Sequence, residues 1–234
     1  MNTYLAEFFG TMFLILLGDG VVANVTLDKS GMKGAGSIQI TMAWGLAVLL
    51  PAMAFGATSG AHFNPAVTLG QCIITGNWGM LLPYVIAQMA GAFVGACLVY
   101  LLFKEQFDAT EEAGTKLGVF STAPSVANTG LNFLSEFVGT FVLVFFLDAI
   151  SESGSAGGFN WFIVYSVIVS IGMSFGGLTG YAINPARDLG PRLAHAVLPI
   201  KGKGDSNFAY GWIPVVAPLC GAVAATLFYM WFPF

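Results

Sequence analysis

Two stretches decide the fold: Ser59-Gly60-Ala61-His62-Phe63-Asn64-Pro65-Ala66-Val67-Thr68 and Gly177-Leu178-Thr179-Gly180-Tyr181-Ala182-Ile183-Asn184-Pro185-Ala186-Arg187-Asp188. Each contains Asn-Pro-Ala. Asparagine is a strong helix N-cap and proline suits the first helical position, so a helix is expected to start at Pro65 and another at Pro185. The first apolar run ends near Ile74, after about 11 residues or roughly 16 Å of helix. That is half of an approximately 30 Å hydrocarbon core. The second runs to the neighbourhood of Ala196. Two such half-helices entering from opposite faces would meet tip to tip at mid-membrane. Irregular backbone survives at that depth only when it is buried in protein or lines water. The residues leading into Asn64 and Asn184 are therefore expected to line an aqueous path, with carbonyl acceptors and asparagine amide donors facing it. Helix N-termini carry partial positive charge, so two tips at the centre disfavour cations and protons.

Composition places these motifs in a bilayer. Of 234 residues, 56% are hydrophobic and only 9% charged, against about 25% charged in an ordinary soluble domain. Mean hydropathy is +0.79. Six apolar stretches are long enough to span, at 4–25, 38–57, 80–103, 131–150, 159–178 and 210–232. The first lacks a basic leader and is too long for a usual signal core, so it is read as a retained span. A net charge of −4 with no basic run argues against nucleic acid as a partner. Cys72, Cys97 and Cys220 form neither a metal pattern nor a disulfide framework. No nucleophile–base pair or metal cluster points to an enzyme, and neither a cofactor nor a metal is expected. His62 and His195 read as packing or capping residues.

The chain repeats itself. Ala6-Glu7-Phe8-Phe9-Gly10-Thr11 matches Ser135-Glu136-Phe137-Val138-Gly139-Thr140, and Gly91-Ala92 matches Gly221-Ala222. Each half holds three spans and one Asn-Pro-Ala. Three is odd, so the second half must enter from the opposite side, as in inverted-repeat transporters. The expected fold is an all-α membrane protein: six transmembrane helices plus two re-entrant half-helices in an inverted 3+3 repeat. It forms a single domain, 1–234, with halves 1–103 and 131–234 joined by a polar, solvated connecting loop, 104–130.

Buried acids are expensive in lipid. Glu7 and Glu136 are expected to support the re-entrant loops by accepting hydrogen bonds from backbone N–H groups that otherwise lack partners. Asp19 and Asp148, also repeat-equivalent, lie near span ends and are expected to be solvated. Trp78, Trp161, Trp212 and Trp231 sit at span ends, as interfacial tryptophans do. Trp44 sits inside the second span, where lipid-facing or bundle packing is one reading. Arg187 either pairs with Asp188 or lines the path as a donor that repels cations. All eight Lys and Arg residues fall on one side of the six-span path, which the positive-inside rule would make cytoplasmic.

Over essentially its whole length the sequence resembles the aquaporin superfamily of major intrinsic proteins. The two quoted stretches resemble its signature loops. Asp188 after Asn-Pro-Ala-Arg, Arg192 four residues later, and Pro218-Leu219 in the last span are similar to the bacterial glycerol facilitator, or aquaglyceroporin, type. The resemblance implies a homotetramer in the bacterial plasma membrane with cytoplasmic termini, opposite to the charge rule. It implies passive passage of glycerol, small neutral solutes and water, with ions and protons excluded. It places an aromatic/arginine selectivity filter at Trp44, Gly172, Tyr181 and Arg187. Trp44 and Tyr181 would form an aromatic corner for polyol CH groups, Arg187 would bond hydroxyls, and Gly172 would supply room. Glycerol facilitators commonly carry Phe where this chain has Tyr181. A mainly water-conducting pore, or one for urea, dihydroxyacetone, hydrogen peroxide or protonated lactic acid, is the alternative.

Overall fold

The computed structural model describes residues 2–152 and 159–232. Among these, all regular structure is helical. Eleven α-helices follow in order: α1 Thr3–Thr26, α2 Ser37–Ser59, α3 Pro65–Thr75, α4 Leu81–Leu102, α5 Lys104–Ala109, α6 Ala113–Phe120, α7 Thr129–Glu152, α8 Phe159–Thr179, α9 Pro185–Val197, α10 Phe208–Gly211 and α11 Ile213–Trp231. Six segments are long and apolar enough to span: Thr3–Thr26, Ser37–Ser59, Trp78–Leu102, Thr129–Ile150, Phe159–Thr179 and Phe208–Trp231. Every end lies within two residues of the sequence expectation. Large apolar side chains such as Ile38, Leu82 and Leu102 remain exposed on their outer faces, which suits lipid rather than water.

The two short helices begin at the expected residues. Asn64 Oδ1 accepts from Ala66 N at 2.9 Å, and Asn184 Oδ1 accepts from Ala186 N at 3.0 Å and Arg187 N at 3.2 Å. Proline follows each cap and needs no N–H partner. α3 stops at Gly76, whose φ of 71° is the left-handed C-cap conformation.

Packing interlocks the bundle. α1 packs on α4 and α2, and α7 makes the corresponding contacts with α11 and α8. Each half-helix lies against the last span of the other three-helix set: α3 on α11, and α9 on α4. Two glycines allow the closest approaches. A Cβ at Gly91 would fall 2.2 Å from the Phe8 carbonyl oxygen, and one at Gly221 would fall 2.4 Å from that of Phe137. Small residues at such crossings are the usual means of close helix approach in membranes.

Two expectations are corrected. The segment 104–130 is not simply solvated: it folds into α5 and α6, and Phe107, Lys116, Val119 and Phe120 are buried. Stacking of Phe107 on Phe120 at 5.4 Å and of Phe120 near His195 at 5.5 Å seats it on the end of α9. Its apolar residues are interspersed with charges, so the polar average concealed them. Asp19 and Asp148 are also not solvated; they are 0% and 2% exposed. Helices α1 and α7 extend past them by a further turn or more, so a position near the end of the apolar run is still inside the bundle.

Substitution of Gly221 by valine is expected to force α11 away from α7. Purified in detergent, Gly221→Val should unfold at a lower temperature than wild type by a loss of about 1–3 kcal/mol, the range for overpacking. An unchanged melting profile would show that the crossing tolerates a side chain.

Candidate pore and selectivity filter

The site is built on two loops of unusual backbone. Gly60, Ala61 and Phe63 have φ values of 86°, 55° and 47°; Gly180, Tyr181 and Ile183 have 82°, 39° and 44°. A left-handed φ is uncommon for non-glycine residues and an outlier for a β-branched one such as Ile183. Such geometry persists only where the surroundings over-determine it, and here two buried carboxylates do so. Glu7 accepts from Ser59 Oγ at 2.6 Å, His62 N at 3.0 Å, Phe63 N at 2.7 Å and Gln88 Nε2 at 2.7 Å. Glu136 accepts from Thr179 Oγ1 at 2.7 Å, Ala182 N at 3.0 Å and Ile183 N at 2.9 Å. Donors match position for position between the loops: a hydroxyl, then two successive backbone N–H groups.

The loops are also tied to each other. Asn64 Nδ2 donates to the Ile183 carbonyl at 2.8 Å, and Asn184 Nδ2 donates to the Phe63 carbonyl at 2.9 Å. An asparagine amide carries two N–H donors. One is used across the centre of the bundle, and a second remains for whatever occupies the space beside it. The sequence alone does not reveal this reciprocal tie, because it joins residues 119 and 121 positions apart.

That space is a cavity of about 350 Å³. Trp44, Tyr181 and Arg187 line it together with Asn64, Asn184, Gln71, Asn160 and Trp161. Leu14, Val48, Leu143 and Ile168 supply apolar wall. The Arg187 guanidinium carbon sits 4.1 Å from the centre of the Trp44 ring, a cation–π contact. Trp44 is buried, and it lies against Gly18, where a Cβ would come within 2.2 Å of its ring. Trp161 nestles on Gly56 in the same way, at 2.4 Å. Sequence reading set Trp161 aside as an interfacial anchor; its place in the cavity wall depends on Gly56, a residue with no periodic signal.

Gly172 is buried on α8 and is not part of the cavity wall. A Cβ there would lie 2.6 Å from Thr41 Cγ2 and 2.8 Å from Tyr181 Cζ. The room it leaves is thus taken by the Tyr181 ring, which also leans on Gly176. Arg187 does not pair with Asp188. Its Nη1 stands 3.6 Å from Asp19 Oδ1 instead, because Asp188 is committed elsewhere: Oδ1 accepts from Arg192 Nε at 2.8 Å, and Oδ2 accepts from Thr122 N and Oγ1, both at 2.8 Å. Arg192 also donates to the carbonyls of Thr122, Ser206 and Asn207, so this pair clamps the loops over α9. Pro218 is buried inside α11, and Leu219 packs against the cluster around Ala66 and Ala222. His195 is buried with Nδ1 2.8 Å from Ser206 Oγ, and His62 Nδ1 is 3.1 Å from Thr68 Oγ1.

The geometry is that of a pore, and comparison with known proteins decides which kind. The pattern of the major intrinsic protein family matches residues 1–229. The chain belongs to the major intrinsic protein family. It is a multi-pass protein of the cell membrane and a channel rather than an enzyme. It is 49% identical to the glycerol uptake facilitator protein of Streptococcus pneumoniae, over 99% of this chain and all of that one. It is 50% identical to a probable glycerol uptake facilitator protein of Thermotoga maritima, with 99% of each chain covered. In fold it is similar to the aquaglyceroporin of Plasmodium falciparum, with a TM-score of 0.86 and 31% identity over 97% of this chain and 93% of that one. This family member thus shares both sequence and architecture with aquaglyceroporins.

Loss of a loop-supporting carboxylate should be a folding defect. Glu136→Ala leaves the N–H groups of Ala182 and Ile183 without acceptor, at about 1–3 kcal/mol for each buried group. Reduced thermal stability together with lost flux is expected. A fully stable Glu136→Ala protein with altered selectivity alone would contradict the supporting role.

Proposed function

We propose that this protein is a passive, bidirectional channel for glycerol and similar small neutral solutes, with water, and that it excludes ions and protons. The observation that carries the reading is the cavity itself. Its lining divides between apolar or aromatic side chains and polar groups: Arg187, Asn64, Asn184 and the residues of the two loops. A polyol carries CH groups on one side and hydroxyls on the other, so it fits that division. Loop carbonyls accept from its hydroxyls, while Asn64, Asn184 and Arg187 donate to them. The facilitators to which the chain is similar bear glycerol in their names, and their matches run end to end.

The selectivity filter in this reading is Trp44, Tyr181 and Arg187, with Gly172 acting one step back by admitting the Tyr181 ring. The Asn64-Pro65-Ala66 and Asn184-Pro185-Ala186 half-helices aim their positive ends at mid-pore. A bare cation would shed hydration with no compensating anion, and burial of an unpaired charge is prohibitive. Residues 1–103 and 131–234 act as the two inverted halves, linked through 104–130, and four subunits assemble as a homotetramer.

The termini are cytoplasmic in this reading, which puts every Lys and Arg on the outer face. Folded-state roles account for most of them. Lys203 Nζ donates to the carbonyls of His195, Ala196 and Leu198, each at 2.7 Å, and so caps the C-terminal end of α9. Lys116 bonds the Lys201 carbonyl, and Lys33 and Lys104 pair with Asp28 and Asp108.

Stopped-flow light scattering of reconstituted vesicles tests the function: glycerol should cross far faster than in protein-free vesicles, with negligible ion current in planar bilayers. Arg187→Val should admit some protons or cations while largely sparing neutral flux. A steady wild-type cation conductance like that of an open ion channel would refute the mechanism.

A further inference from the structure

An arginine at a pore constriction solves one problem and creates another. It repels cations, but as a fixed positive charge in a low-dielectric wall it attracts small anions. The structure contains a group placed to cancel that attraction. Asp19 sits on α1, fully buried, with Oδ1 3.6 Å from Arg187 Nη1. Neither of its carboxylate oxygens has a hydrogen-bond partner, and Arg187 Nη1 has none either. Asp188, the nearer acid in sequence, is fully engaged by Arg192 and Thr122. Asp19 does not line the cavity, although Leu14 of the same helix does. Its neighbour Gly18 receives the Trp44 ring, on which the Arg187 guanidinium lies. One short piece of α1 therefore backs both the aromatic and the cationic members of the filter.

We propose that Asp19 is a positioning and charge-balancing residue for the filter. It holds the Arg187 guanidinium from behind and turns its net charge into a dipole whose positive end faces the pore. The N–H donors that a neutral hydroxyl needs are kept. The attraction that would trap or pass a small anion is removed, because the field of a compensated pair falls off faster than that of a lone charge. Cations still meet the positive end and the two half-helix tips. Charge selectivity against both signs thus depends on a residue that solute does not touch.

This proposal rests on the reading of Arg187 as a filter residue, and a double-mutant cycle separates the two. Wild type, Asp19→Asn, Arg187→Gln and the double variant are reconstituted. For each, permeability to nitrate and to potassium is measured relative to glycerol in the same vesicles, and thermal unfolding is followed in detergent. Asp19→Asn keeps the side-chain shape and should raise the nitrate-to-glycerol ratio by about tenfold or more, the scale of one unscreened charge at close range. Arg187→Gln strands a buried carboxylate, so it should unfold earlier and raise the potassium ratio. The double variant should return the nitrate ratio toward wild type and unfold later than Arg187→Gln. An Asp19→Asn ratio equal to wild type, with Arg187→Gln altered, would overturn the charge-balancing role and leave the filter intact. An Arg187→Gln protein with wild-type selectivity would overturn both. If Asp19→Asn fails to fold, folding of the double variant still supports the pairing, and failure of both overturns it.

Discussion

Backbone polar groups in the middle of a bilayer must find partners within the protein, and every part of this architecture follows from that requirement. A complete helix satisfies it internally, but a pore wall cannot be a complete helix and also offer carbonyls to a solute. Here two loops are left irregular. Their N–H groups are taken up by Glu7 and Glu136, and two of their carbonyls by Asn184 and Asn64. Carbonyls not used in these bonds are available to the pore. Neither carboxylate is part of the cavity lining, so strong acceptors at this depth add structure without adding a cation site to the path.

Much of this was legible in the sequence. Apolar run length located the six spans, because a membrane core imposes one length on every crossing helix. Asn64-Pro65 and Asn184-Pro185 located the half-helices, because capping is local chemistry. Glu7 and Glu136 stood out as acids in apolar runs at repeat-equivalent places. What was not legible was long-range or compositional. The burial of Asp19 and Asp148 depends on where the bundle ends, not on where the apolar run ends. The choice of Asp19 over Asp188 as the partner of Arg187 was hidden because Arg192 claims Asp188 from one turn along the same helix. The part played by Trp161 depends on Gly56, and that of Gly172 on the ring of Tyr181.

Glycine has a consistent use across the molecule. Gly91 and Gly221 admit a neighbouring backbone, while Gly18, Gly56 and Gly172 admit the aromatic side chains Trp44, Trp161 and Tyr181. Aromatic rings seated against helix backbone have little freedom to swing into the path. Rings held in this way keep the width of the cavity without a covalent brace, and that dimension is set by the absence of atoms on the facing helix.

The reciprocal bond between the two loops has a consequence for how the chain is made. The acceptor for the Asn64 amide is the carbonyl of Ile183, 119 residues further along. α3 likewise has its packing surface on α11, near the far end of the chain. At a synthesis rate of about 5–20 residues per second, the first loop waits on the order of ten seconds for its partner to leave the ribosome. During that interval its polar groups need a substitute, either lipid-headgroup water or the insertion machinery. The first three spans are thus a biosynthetic intermediate with an open seam, closed only when the second loop threads in from the opposite face.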